Sequence, residues 1–283
     1  MNFSKSIAIT CFTILTLSGN GLCAIAAETQ PANKTFGDWC REKDSLSPET
    51  KHTVEVLLQK AETNECDAAN QKLLSLTGLA LSTSDIIDIK PLQSLTQLNL
   101  LMLNNNQISD IKPLQSLTEL NHLDLENNKI SDLKPLESLT RLTWLTLNYN
   151  KISNIQPLQS LTNLKVLELD NNKISDIKPL QSLKQLTSLG LSDNKIIDIK
   201  PLQSLTQLME LGLGDNQIAD IKPLQSLTTL GRLGLSDNQI SDIKPLQSLT
   251  NLSLLNLIGN PIEPKNCPIQ PESICLWKKP LEL

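Results

Sequence analysis

The 283 residues carry 25 Lys and Arg against 30 Asp and Glu, a net charge of −5 at pH 7, and among their aromatics only three Phe, three Trp and one Tyr. A mildly acidic chain of this kind offers no basic field for a phosphate backbone, which excludes a nucleic-acid partner. Nor does it contain an H-E-x-x-H, G-x-S-x-G or Gly-rich phosphate loop that would announce catalysis.

Residues 1–27 read as a signal peptide. Lys5 precedes an apolar run from Ile7 to Leu17, and small residues follow at Ala24, Ala26 and Ala27. The run is well short of the roughly 20 residues that cross a bilayer, so cleavage near Ala26 or Ala27 is expected rather than an anchor. Bulky Leu22 before Cys23 speaks against a lipoprotein signal. Cleavage removes Lys5 and no acid, leaving 24 basic against 30 acidic side chains and a net charge of −6. The mature chain is expected to be secreted or periplasmic, without a membrane span.

Residues 28–72 form an N-terminal linker and a helical cap. In S-P-E-T-K-H-T-V-E-V-L-L-Q-K-A, Ser47 stands as helix cap and Pro48 in the first turn. From 73 to 262 the chain repeats itself in about nine units of 22 residues. Pro91, Pro113, Pro135, Pro157, Pro179, Pro201, Pro223 and Pro245 keep the beat, as do asparagines from Asn106 to Asn260; the first unit is degenerate, with Ser84 in the asparagine position. Between these markers runs L-x-x-L-x-L-x-x-N-x-I, for example Leu120, Leu123, Leu125, Asn128 and Ile130.

The two close leucines alternate with polar positions, which is the pattern of a strand with one buried face. Stacked copies make an α/β solenoid: a parallel β-sheet on the concave face, short 3-10 turns on the convex face where K-P-L-Q-S recurs, and one continuous core. The asparagine column is expected to serve backbone groups left unpaired after each strand. Most copies read D-I-K-P-L, and Asn154-Ile155-Gln156-Pro157-Leu158 loses acid and base together, which suggests Asp and Lys as charge-balancing ladders. The period and the I-x-D-I-x-P-L spelling resemble the SDS22-like class of leucine-rich repeats, also found in internalins. That resemblance implies a right-handed horseshoe and a binding role, with an exported internalin-like adhesin fitting the leader better than a cytosolic regulator.

Residues 263–283 form a C-terminal cap with Trp277. Cys40, Cys66, Cys267 and Cys275 allow three pairings. Eight strand steps of roughly 4.8 Å set the two ends almost 40 Å apart, which leaves Cys40 with Cys66 and Cys267 with Cys275. Paired zinc ligands are the alternative, but neither flank offers four.

The aromatics of the mature chain then sort themselves. Phe36, Trp39 and Trp277 seal the caps, whereas Trp144 and Tyr149 fall at the third and eighth positions of one repeat, which face outward. Reading outward positions across copies gathers Leu100, Met102, His122, Asp124, Glu126, Trp144, Thr146, Tyr149, Val166, Glu168 and Asp170 into one candidate surface. Apolar anchors flanked by carboxylates have the composition of an interface centre and rim. Beyond it, Gly190, Gly212 and Gly234 at the fifth position are expected to be featureless. The reading is a non-enzymatic monomer that binds a protein or peptide, with the carboxylates favouring a basic one, and with no cofactor and no metal. Two alternatives stay open: a hydrolase built on His122 and Asp124, and a calcium-dependent scaffold built on Asp193, Asp215 and Asp237.

Overall fold

The computed structural model describes residues 34–278, so the signal peptide expected at 1–27 lies outside the described residues. The N-terminal cap holds three helices rather than the single one expected: α1 (Phe36–Arg41), α2 (Pro48–Ala61) and α3 (Cys66–Leu74). Thr35 opens α1 with a capping box closed by Asp38, and Ser47 opens α2 by accepting from the Thr50 amide. Their inner faces bury Phe36, Val54, Leu57, Ala69 and Leu73 against the first repeat. The Cys40–Cys66 disulfide ties α1 to α3.

Ten short strands follow: β1 (Gly78–Ala80), β2 (Leu100–Met102), β3 (His122–Asp124), β4 (Trp144–Thr146), β5 (Val166–Glu168), β6 (Ser188–Gly190), β7 (Glu210–Gly212), β8 (Arg232–Gly234), β9 (Leu254–Asn256) and β10 (Cys275–Leu276). They form one parallel sheet in chain order, each copy in the same register as the last. The tenth strand comes from the C-terminal lid, which the repeat spelling did not show. It covers the open edge of β9 and is bonded back through Cys267–Cys275. Between strands the K-P-L-Q-S segments make 3-10 turns, with Pro at the start where its missing N–H costs nothing. The architecture is that of a leucine-rich horseshoe.

Two side-chain columns explain why one spelling recurs. Asn128 Nδ2 donates to Leu103 O, Leu125 O and Glu126 O at 3.0 to 3.2 Å, and its Oδ1 accepts from Ile108 N. Each asparagine therefore satisfies backbone groups of its own copy and of the copy before. Among the described residues only Asp88 pairs with its lysine, Lys90, at 3.3 Å, so the aspartates do not form a charge ladder along the face. Asp110 Oδ1 accepts from the Lys112 amide at 2.9 Å, and Asp132, Asp176, Asp198, Asp220 and Asp242 repeat the bond, so each one closes the start of a 3-10 turn. Asn154 does the same for Gln156 through its amide oxygen, which is why that copy tolerates losing acid and base.

Candidate functional site

Leucines at the fourth and sixth positions point into the core, so the third and fifth positions point out of the concave face. Register places Leu100, His122, Trp144 and Val166 side by side in one row. The imidazole of His122 and the indole of Trp144 stack at 5.2 Å between centroids, 12° from parallel. Because the two residues are partners on neighbouring strands, the rings stand like plates in a rack and meet solvent at their edges. Trp144 is 41% exposed, and its Nε1 donates to Thr146 Oγ1 at 3.0 Å. Thr146 was expected on the partner-facing surface, but it is buried under this bond and orients the indole instead. Leu100, Met102 and Val166 are half-buried, each with one side outward.

Tyr149 lies one turn beyond β4 with φ of 54° and 54% of its surface exposed. The same left-handed backbone recurs in every copy, carried by Thr83, Asn105, Asn127, Asn171, Asp193, Asp215, Asp237 and Gly259. Small Asx side chains and glycine suit this region, and a bulky ring does not. Its own carbonyl neighbour, Asn148, uses Oδ1 to accept from the Asp170 amide at 2.7 Å, so the loop is held from below.

The glycine half is a groove of about 280 Å³, not a blank surface. Gly190, Gly212 and Gly234 form its floor in register. Glu168 and Asp170 close one end, and the ion pair of Arg232 with Glu210, at 3.1 Å, forms a side. Glu168 leans over Gly190, where a β-carbon would run into Oε2. Ser188 Oγ donates to Glu168 at 3.3 Å, and the Ser192 amide donates to Asp170 at 2.6 Å.

The comparisons with known proteins agree with this geometry. A family model described as leucine-rich repeats (2 copies) matches residues 96–138, 140–182 and 184–226. The crystal structure of internalin C2 from Listeria monocytogenes is similar at 29% identity, with a TM-score of 0.62, over 82% of this chain and 93% of that one. The chain is an internalin-like leucine-rich repeat protein. A leucine-rich repeat protein of Leptospira interrogans is similar to this internalin-like protein at 30% identity and a TM-score of 0.57, over 69% of this chain and 58% of that one. The ectodomain of an Arabidopsis thaliana membrane receptor kinase, solved in complex with Casparian strip integrity factor 2, is 27% identical with a TM-score of 0.60, over 69% of this chain and 25% of that one. No curated protein sequence matches it.

The internalin-like face is electrically one-sided where its row of carboxylates lies. Burial raises the carboxyls of Asp124, Glu126, Glu168 and Asp170 above their ordinary values. Glu168 goes furthest, to about 7, because Asp170, Glu210 and Glu126 add repulsion to its desolvation. Among the described residues none of these four has an ion-pair partner, and no hydrogen bond joins His122 to Asp124. No group of three or more His, Cys, Asp or Glu side chains is gathered for a metal ion among the described residues. Sequence reasoning had found the acids but not Ser188, Glu210 or Arg232 as their neighbours. Three consecutive glycines at the fifth position were the signal for the groove that joins them.

Proposed function

We propose that this is an exported, monomeric, non-catalytic protein that holds a protein or peptide partner on its concave sheet, centred on Trp144 and Tyr149. The observation that carries the reading is Tyr149, a large exposed ring in a left-handed turn where the other copies place Thr, Asn, Asp or Gly. A bulky ring held in this left-handed turn with 54% of its surface exposed is what a recognition residue looks like. The stacked pair of His122 and Trp144 provides a rigid apolar ridge beside it. The carboxylates without an ion-pair partner favour a basic surface opposite. Stacked repeats with a concave face commonly serve as binding surfaces, and the plant ectodomain solved with its factor supports such a use here. The likeness to internalin C2 and the two disulfides support a setting outside the cell and an adhesin-like contact.

The test is capture from envelope and medium fractions of the producing organism with four baits: the parent chain, Trp144→Ala, Tyr149→Asn and Ser153→Ala. A protein retained by the parent and by the convex control Ser153→Ala, but lost from both concave variants, is the expected outcome. Equal capture by all four would move the contact to another face.

A further inference from the structure

We infer that the groove over Gly190, Gly212 and Gly234 receives one arginine side chain of the partner, with its guanidinium between Glu168 and Asp170. This rests on the concave reading above and adds to it the chemistry of the residue bound.

The dimensions come first. Three fifth positions in succession lack a side chain, so the floor runs for roughly 10 Å across strands spaced about 4.8 Å apart. The volume of about 280 Å³ falls just under the roughly 300 Å³ at which small-molecule pockets begin, so one side chain fits and a cofactor does not. Filling the floor needs a long stem, and the stem needs a head suited to the acidic end.

The head must be cationic. Glu168 and Asp170 are held part-buried, Glu168 accepting from the Ser188 hydroxyl and Asp170 from Ser192. Arg232 is engaged by Glu210 and sits three strands from Glu168, about 14 Å by strand spacing, so it leaves the pair unmet. A planar guanidinium reaches two carboxylates at once, which a lysine ammonium does only as a point charge.

The charged groups facing Glu168 are Asp170 on its own loop, Glu126 from the β3 turn, and Glu210 with its partner Arg232 from beyond the groove. Glu168, raised to about 7, is partly protonated near neutral pH, so a bound cation displaces its proton.

The probe is the blocked tripeptide acetyl-Gly-Arg-Gly-amide, titrated by amide NMR and by calorimetry in two buffers of different ionisation heat. Saturable shifts at Gly190, Gly212 and Gly234 are expected, with proton release at pH 7. The citrulline analogue, which has the same shape without the charge, should bind at least about tenfold more weakly. Glu168→Gln with Asp170→Asn should abolish the shifts, as should Gly212→Leu, whose β-carbon meets only the rotatable Ser192 hydroxyl closely. The NMR spectrum of each variant reports its fold directly. Absence of saturation with arginine, equal binding of citrulline, or unchanged binding to Gly212→Leu would overturn the inference. Trp144→Ala separates the two readings. If it loses partner capture while the probe is silent on the parent, only the arginine falls. If the probe binds but capture ignores Trp144→Ala, the aromatic centre falls and the groove stands.

Discussion

Replacing Tyr149 by Asn should leave stability within about 1 kcal/mol of the parent and make the protein a poorer binder. A non-glycine residue in the left-handed region loses about 1–2 kcal/mol to the clash of its β-carbon, and Asn recovers part of that through local hydrogen bonds. Asn127 shows the benefit, since its Nδ2 donates to Asn105 Oδ1 at 2.8 Å in the same column. An asparagine at 149 extends this side-chain ladder by one rung. Against the gain stands the ring, which is 54% exposed, so roughly 40–80 Å² of apolar surface is covered and its loss costs about 1–2 kcal/mol at roughly 25 cal/mol per Å². The two nearly cancel, leaving a change within about 1 kcal/mol, or under about 4 °C in Tm for a chain of this size. Urea titration and calorimetry of parent and variant measure it. The reverse exchange, Asn127→Tyr, should cost about 1 kcal/mol or more, because it adds strain and removes the bond to Asn105. Affinity for a captured partner should fall by about 2 kcal/mol, close to thirtyfold, as interface anchors do. A variant that loses 1 kcal/mol or more of stability would show that the ring supports the fold, and the strain argument would collapse.

Leu145→Ala or Leu167→Ala, both fully buried, should cost about 2–5 kcal/mol by denaturant titration, whereas Trp144→Ala should stay below about 1.5 kcal/mol because it loses only a stack and a half-exposed bond. Glu168 has its folded value raised to about 7 against an ordinary 4.5, so its protonated form stabilises the fold at low pH and that contribution is lost as pH rises through 7. Glu168→Gln should therefore melt with the parent at pH 4 and above it at pH 8, and a carbon-13 titration of the side chain should place the midpoint near 7; a midpoint near 4.5 would deny the desolvation. Non-reduced digests should yield Cys40 linked to Cys66 and Cys267 to Cys275. Replacing both members of the first pair by Ser should cost about 3.5 kcal/mol, and of the second about 2.5, by loop entropy.

The repeat was legible because its core positions obey a period that packing enforces. Leu123, Leu145 and Leu167 share one environment, so one spelling serves them all. The cap helices were less legible: α1 is only Phe36–Arg41, and it is held by a capping box and a disulfide rather than by a long apolar stripe. Strand β10 escaped because Cys275–Leu276 belongs to no repeat and pairs only through tertiary placement. In the site, the sequence located Trp144 and Tyr149 but not what their backbones do. A left-handed φ at the eighth position follows from the Asn, Asp and Gly that fill it elsewhere, and reading that column would have exposed Tyr149 as the exception. Thr146 was misjudged because alternation predicts which face a side chain points to, not whether a neighbour then covers it. The groove was missed because an absent side chain was read as an absent feature.

The asparagine column sets a unit of change for this molecule. Asn128 closes the turn at Ile108, Asn150 closes that at Ile130, and so on, always reaching back one copy. Excising or duplicating a whole copy of 22 residues leaves every such bond with an equivalent partner, while inserting a single residue inside a copy disturbs the bonds that span the insertion. Copy number is thus free to drift in whole steps, and the sheet can grow or shrink without a penalty at the joins. The single-copy residues on its inner surface are carried along as cargo, and what changes is the spacing between an aromatic ridge in one copy and an acidic pocket in another. Distance between recognition elements is in this way inherited in steps of one strand, about 4.8 Å at a time.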